Sequence, residues 1–276
     1  MSTIFCNFYI LFIKSIRNLK TKIVKYCCYV GKGDEKLKPY KIFTEVNTHD
    51  VDFNGIAKTS SILRYLQSAA QSQLTANGMS YDELIERRRA FILSRITLEV
   101  LTPLYEGTPL SAISFPSESR GYSFIRCYGL EADGVPVARA ISVWALIDTD
   151  THALVRASDF DLRLPILPPI DLSLEHIRLP KAMTEVGGYG VHYGDVDRNR
   201  HMNNTKYPDM YSTFLPMQGK MIKRISISYL NEAPMGEKMR VHMANEGDVY
   251  YFRSVRGDNS INSEARLELA DISQKR

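Results

Sequence analysis

The chain has 276 residues, 44% hydrophobic and 24% charged, with 16 glycines and 12 prolines, a composition typical of a folded globular protein with room for about two domains. It excludes a collagen-like repeat, wholesale disorder and a disulfide scaffold, and no apolar run reaches the roughly 18 residues of a membrane-spanning helix. The formal charge of +4 is lopsided: residues 1–38 carry eight Lys/Arg against Asp34 and Glu35, while the remainder holds 27 basic and 29 acidic side chains, so the body has no nucleic-acid footprint.

Residues 4–13 read IFCNFYILFI and are followed by a basic run to Lys25. A secretory signal places its charges before the apolar core and a small-residue cleavage site after it; the order here is reversed. Two readings stay open for residues 1–38. They are an interfacial anchor with lysines on anionic lipid, or an appendage outside the fold. Three of the four cysteines lie in this stretch and only Cys127 lies in the body, with no C-x-x-C and no zinc spacing. The pattern predicts a reducing, cytoplasmic setting and no metal or cofactor.

From Tyr40 the pattern changes. YKIFTEV at 40–46 predicts a strand, and the polar segment THDVDFNG follows. Ile62, Tyr65, Leu66, Ala69, Ala70 and Leu74 then recur at three- and four-residue spacing, which predicts a helix over 59–77. Thr59 or Ser60 can cap its start, and Gly78 stands where a left-handed residue ends a helix. Strands are expected at 91–103, 108–118, 123–131 and 135–147, with Asp133-Gly134 as a hairpin turn. Pro165, Pro168, Pro169 and Pro180 mark an extended linker over 161–182. A second unit, 183–272, opens with GVHYGDVDRNRHMNN, continues as a short helical segment to about Phe214, and ends in strands near 222–230, 238–244, 248–256 and 260–270.

The two halves, 39–160 and 183–272, repeat one another. Asp50-Val51-Asp52-x-Asn54 matches Asp195-Val196-Asp197-x-Asn199 at an offset of 145, and Ile62, Tyr65, Leu66 and Ala69 then fall on Tyr207, Met210, Tyr211 and Phe214. Each copy is expected to be one helix against an antiparallel sheet, an α+β arrangement.

The copies differ in chemistry. Ile56 stands where the second copy has His201, so Asp197, Asn199 and His201 occupy alternate positions, with Asn203 and Asn204 at the helix start. Alternate residues of an extended segment share a face. A carboxylate or imidazole can take a proton from water, and an amide or the free N–H groups of a helix start can hold an oxyanion. The same residues can instead make turn bonds and cap the helix, leaving His201 half-buried and inert.

GDVDRNRHMNNTKY resembles the signature loop of the acyl-acyl-carrier-protein (acyl-ACP) thioesterases, through Asp195, Asp197, Asn199, His201, Asn203, Asn204 and Tyr207. ISYLNEA at 227–233 resembles a further segment of that family, and Trp144 stands where its first domain carries a tryptophan. The resemblance covers residues 40 to about 270. It implies a tandem (double) hotdog, two antiparallel sheets each wrapped around a long helix, and hydrolysis of fatty acyl-ACP to free fatty acid. By resemblance Asp197, Asn199, His201 and Glu232 form the catalytic set. Ile62, Leu66 and Ala69 would line an acyl tunnel in the N-terminal half, with Asn203 and Asn204 also toward substrate. The family's cysteine after the glutamate is Ala233 here, so a thiol nucleophile is excluded at that place. What remains is water attack on the thioester with Glu232 or Asp197 as base.

The implied partners are acyl-carrier protein and a fatty acyl chain, with a homodimer open. Carrier protein is acidic, so a basic landing patch is expected; Arg87-Arg88-Arg89 and Lys220, Lys223, Arg224 are the local clusters. An acyl-CoA thioesterase, a non-catalytic acyl-binding module and a dehydratase on the same fold are the competing readings. Many acyl-CoA enzymes of this fold resemble one another in an acid on the central helix, and 59–77 contains none.

Overall fold

The computed structural model describes residues 38–272. The expectations for the N-terminal stretch therefore lie outside the described residues, apart from Lys38. In chain order the elements are β1 (Tyr40–Glu45), α1 (Thr59–Ala76), α2 (Tyr81–Glu86), β2 (Arg89–Val100), β3 (Pro109–Arg120), β4 (Ser123–Ala132), β5 (Val135–Asp148), β6 (Leu154–Val155), β7 (Thr184–Gly190), α3 (Tyr207–Ser212), β8 (Lys220–Tyr229), β9 (Lys238–Glu246), β10 (Val249–Val255) and β11 (Ile261–Asp271). Two compact units result. Among the described residues one holds 38–44, Tyr65–Ile96 and Leu110–Leu174; the other holds Glu45–Arg64, Thr97–Pro109 and 175–272.

In the first unit β3, β4 and β5 form an antiparallel run, with Cys127 opposite both Phe115 and Ile141. Asp133 and Gly134, both at positive φ, close the predicted hairpin. Alternation puts Ile113, Phe115, Ile125, Cys127, Ile141 and Val143 on one face, and Leu172 packs onto them with Leu167, Ile170 and Leu174 at the edge. The proline-rich stretch is thus a cover for the sheet as well as a connection. Its prolines hold it extended but remove the N–H groups that another strand would need.

The opposite face carries a buried charge. Arg126 of β4 donates from Nη1 to Gln73 Oε1 of α1 (2.6 Å) and to Ser114 Oγ (2.7 Å). Burial pushes its pKa down, and the two acceptors offset part of the desolvation cost. Trp144 Nε1 donates to Ser142 Oγ (2.8 Å) on the same sheet. Helix α1 begins at Thr59, so neither Thr59 nor Ser60 precedes it as a cap. The carbonyl of Asp50 instead accepts from Lys58 N and Ser61 Oγ. Gly78, at φ +66, ends it as expected. Helix α2 has no counterpart in the sequence reading, although Ser80 and Glu83 form a capping box.

In the second unit the hydrogen-bonded order is β8-β11-β10-β9-β7, all antiparallel. Strand β7, TEVGGYG, is the strand-like segment expected, without bounds, before the second loop. Its three glycines weaken any strand pattern, but a Cβ on Gly187 would come within 2.9 Å of the Phe214 ring. Tyr211 of α3 lies over the sheet, its ring 4.8 Å from that of Phe252 and its hydroxyl 2.7 Å from Ser263 Oγ. A long helix in this half is not what forms. Helix α3 has six residues after a 3-10 turn at Asn204–Lys206. Pro216 disfavours helical geometry at Leu215, so the segment cannot grow to the length of α1.

Candidate active site

The loop before α3 is built by its own backbone. His192 N donates to Asp195 Oδ2 (2.9 Å) and closes a 3-10 turn over Tyr193–Asp195. Asp197 N donates to the His201 carbonyl (3.1 Å), Arg200 N donates to the Asp197 carbonyl (2.9 Å), and Arg200 sits at φ +64. The returning limb docks on the segment after β8. Met202 N donates to the Ala233 carbonyl (2.8 Å), and His201 bridges to Pro234. That docking brings His201 Nε2 to 3.2 Å from Glu232 Oε2, with 34% and 44% of the two side chains exposed. The pair is therefore open to water and substrate.

The other predicted residues have mainly structural partners. Asp197 Oδ1 accepts from Asn199 N (2.9 Å), and its Oδ2 accepts from Asn203 Nδ2 (3.2 Å). Asn203 Oδ1 accepts from Thr205 N (2.9 Å) and Thr205 Oγ1 (2.8 Å), so Asn203 caps the helical segment. Asn199 is exposed at the loop tip and Asn204 is half-buried. Thus the loop joins Asp197, Asn199 and Asn203 in one turn, and His201 with Glu232 in another contact. The expected acyl-lining residues separate: Ile62 borders a cavity beside the first loop, while Leu66 and Ala69 are fully buried in the part of α1 that belongs to the first unit.

An aromatic base lies beneath. Tyr229 hydroxyl donates to the Asn204 carbonyl (2.9 Å), and its ring meets that of Tyr207 edge-on at 5.0 Å. Asn262 Nδ2 donates to the Tyr207 hydroxyl (3.0 Å). Burial pushes the Tyr207 phenol up to about 12, the Asn262 bond opposing and the Glu232 charge adding to it. Tyr229 had no assigned role in the sequence reading; its place in ISYLNEA, three residues before Glu232, was the available signal. Among the described residues the free cysteine is Cys127, buried in the first unit, its thiol pushed up to about 11 by burial. No thiol stands at Ala233.

The first loop repeats five of these bonds. Asn47 N donates to Asp50 Oδ2 (3.2 Å), Asp52 N to the Ile56 carbonyl (2.8 Å), Gly55 N to the Asp52 carbonyl (2.9 Å), Asn54 N to Asp52 Oδ1 (2.8 Å) and Ala57 N to the Leu104 carbonyl (2.7 Å). Since Leu104 thereby takes the place of Ala233, Pro103 stands where Glu232 does, and Ile56 where His201 does. The acid and amide of the turn occur twice; the imidazole and the second carboxylate occur once.

Most of the two basic clusters is ion-paired, Arg87, which donates to the Gly78 carbonyl (3.2 Å), excepted. Arg88 pairs with Asp150 (2.7 Å), Arg89 with Asp148, Lys220 with Asp248 (2.9 Å) and Asp271 (3.2 Å), Lys223 with Glu268 (3.2 Å) and Arg224 with Glu175 (3.6 Å). Asp148 is held down at about 2, chiefly by the Thr151 backbone N–H, with the Thr151 hydroxyl and Arg89 assisting.

Residues 46–174 match the model of the thioesterase-like superfamily, and residues 180–270 match that of the acyl-ACP thioesterase C-terminal domain. The structure is similar to an acyl-ACP thioesterase from Bacteroides thetaiotaomicron, at TM-score 0.76 and 18% identity, over 83% of this chain and 97% of that one. It is similar to the 12:0-ACP thioesterase from Umbellularia californica, at TM-score 0.73 and 15% identity, over 84% of this chain and 97% of that one. These likenesses establish a thioesterase hotdog-like fold, a large antiparallel sheet with few helices. No curated protein has a significant match to the sequence.

Proposed function

The chain belongs to the acyl-ACP thioesterase family, and from that premise we propose that His201 and Glu232 carry its hydrolytic step. The protein is a thioesterase acting on fatty acyl-ACP and releasing free fatty acid. Glu232 takes a proton from water, and the resulting hydroxide attacks the thioester carbonyl. His201, held by Glu232 at 3.2 Å, and the Asn199 amide face the developing oxyanion. Collapse of the tetrahedral intermediate breaks the C–S bond, and the proton held by Glu232 passes to the carrier thiolate. Asp197 acts as a positioning residue, because both its oxygens are committed to the loop.

The single observation that carries this reading is the His201–Glu232 contact, whose counterparts in the first loop are Ile56 and Pro103. Residues 39–160 then serve the acyl chain, with Leu66 and Ala69 at the buried face of α1; 161–182 connect; 183–272 carry the chemistry. The acyl donor is read as carrier protein rather than coenzyme A because α1 has no Asp or Glu. A cytoplasmic location accords with the unpaired, buried Cys127. Among the described residues no helix is long and apolar enough to cross a membrane.

Hydrolysis of matched acyl-ACP and acyl-CoA thioesters by the full chain and by Glu232→Gln tests the proposal. Turnover should favour the carrier-protein substrate and fall roughly 10²- to 10⁴-fold in the variant. Equal turnover on acyl-CoA would move the substrate assignment, and an active Glu232→Gln enzyme would remove Glu232 as base.

A further inference from the structure

The first loop borders a cavity of about 570 Å³ that lies wholly in the second unit, within the roughly 300–1,000 Å³ of small-molecule sites. Its wall includes Asp52, Ile56 and Pro103, the three positions that correspond in the repeat to Asp197, His201 and Glu232. The cavity therefore occupies, beside the first loop, the place that the reacting groups occupy beside the second. The hydrolytic side chains are replaced there by an isoleucine and a proline.

The remaining wall is apolar. Ile56, Val100, Leu104, Met221 and Ile222 line it and are each less than 9% exposed, and Met217 adds an adaptable side chain. Phe53, also part of the lining, is 71% exposed, a large apolar side chain left in water at the cavity's edge. An apolar chain entering the cavity would remove that surface from water. The charged groups on the wall are Asp52, Asp209 and Lys58, and the Lys58 ammonium donates to the His49 carbonyl at 3.3 Å. Two carboxylates against one ammonium disfavour an anionic head.

We propose that this cavity is a second, non-hydrolysing site that binds a single acyl chain carrying an uncharged head, such as an ester, thioester or alcohol. The site goes beyond the catalytic reading and does not need it, since its ligand class is argued from the lining alone. It would hold an acyl chain on the same unit as the catalytic loop without a group able to cleave it.

The test is photo-crosslinking of the full chain with a diazirine-bearing dodecanol, with labelled segments mapped by mass spectrometry. Label is expected within 51–62 and 217–222, displaced by dodecanol and displaced roughly five- to tenfold less well by dodecanoate because of the net negative wall. Ser212→Trp, which fills the cavity from α3, should abolish that label and leave acyl-ACP hydrolysis within about twofold of the parent. Thr213→Trp, at an exposed lining position, repeats the block should Ser212→Trp not fold. No label in either segment, or label undiminished in a folded blocking variant, would overturn the site; better displacement by dodecanoate would overturn the uncharged head. The same labelling in Glu232→Gln separates the two proposals, because the cavity should be labelled there whether or not that variant hydrolyses substrate.

Discussion

The loops at 47–58 and 192–203 share one backbone and differ in what that backbone presents. Both close a 3-10 turn with an acid at its third residue, both fold an Asp-x-Asn turn back on itself, and both dock their returning limb on the segment after a strand. The difference that bears on the proposed chemistry lies in two side chains. Ile56 and Pro103 stand against His201 and Glu232. Features present in both loops are accounted for by folding, because the first loop keeps them without the catalytic pair. Features present once are the ones that folding does not require. By that criterion Asp197, matched by Asp52, shapes the loop; Asn203 stands opposite Lys58 and caps the second loop's own helical segment; and the proposed chemistry falls on His201 and Glu232.

The comparison is broken most severely by making the second loop like the first. His201→Ile should lower kcat on acyl-ACP by roughly 10²- to 10⁴-fold. It should leave the thermal midpoint nearly unchanged, because Ile56 already occupies the same backbone position. A melting curve run beside the assay separates the two effects. A variant that loses activity only in proportion to lost folded protein would show that His201 is structural.

Asn54 and Asn199 are a sharper case. In the first loop the Asn54 amide reaches across to α3's far side, with Nδ2 donating to the Met217 carbonyl (2.7 Å) and Oδ1 accepting from Gly219 N (3.0 Å). Asn199 is exposed at the matching place. Asn54→Ala should destabilise by about 1–3 kcal/mol, since it removes two hydrogen bonds worth about 0.5–1.5 kcal/mol each, with kcat per folded molecule retained. Asn199→Ala should cost under about 0.5 kcal/mol while lowering kcat. Chemical denaturation of both, with activity measured in native buffer, distinguishes them. A reversal of the two outcomes would undo the division of roles.

These pairs also show what was legible beforehand. The repeat could be read because its turn chemistry is local: Asp, Asn and a helical face recur at a fixed offset, and each acts within a few residues of itself. His201 was legible for the same reason, as a departure from the repeat. Its contact with Glu232 was legible only through family resemblance, because 30 residues separate them and the docking of Met202 on Ala233 is what unites them. Strand β7 had no legible bounds because three glycines, of which Gly187 makes room for Phe214, weaken a strand pattern; the shortness of α3 was legible, and what fails is the long helix that family resemblance implied, stopped at Pro216. The cavity beside Ile56 could not be read at all. Its residues come from three separated segments and look like core in each.

The smallest expected effect concerns the residue that turns each loop. Gly55 has φ +72 and Arg200 has φ +64, the same left-handed geometry met by different residues. A non-glycine side chain there costs about 1–2 kcal/mol, and glycine returns part of that through the greater freedom of its unfolded chain, about 0.4–1 kcal/mol. Arg200→Gly should therefore stabilise by no more than about 1 kcal/mol, and Gly55→Arg should destabilise by a similar amount. Both are read as shifts in denaturation midpoint at unchanged slope. A stabilised Arg200→Gly enzyme with unchanged turnover would show that the strain at Arg200 is incidental. A stabilised enzyme with reduced turnover would show that the arginine is kept for what its side chain does beside His201, and would add it to the pair that the proposed chemistry uses.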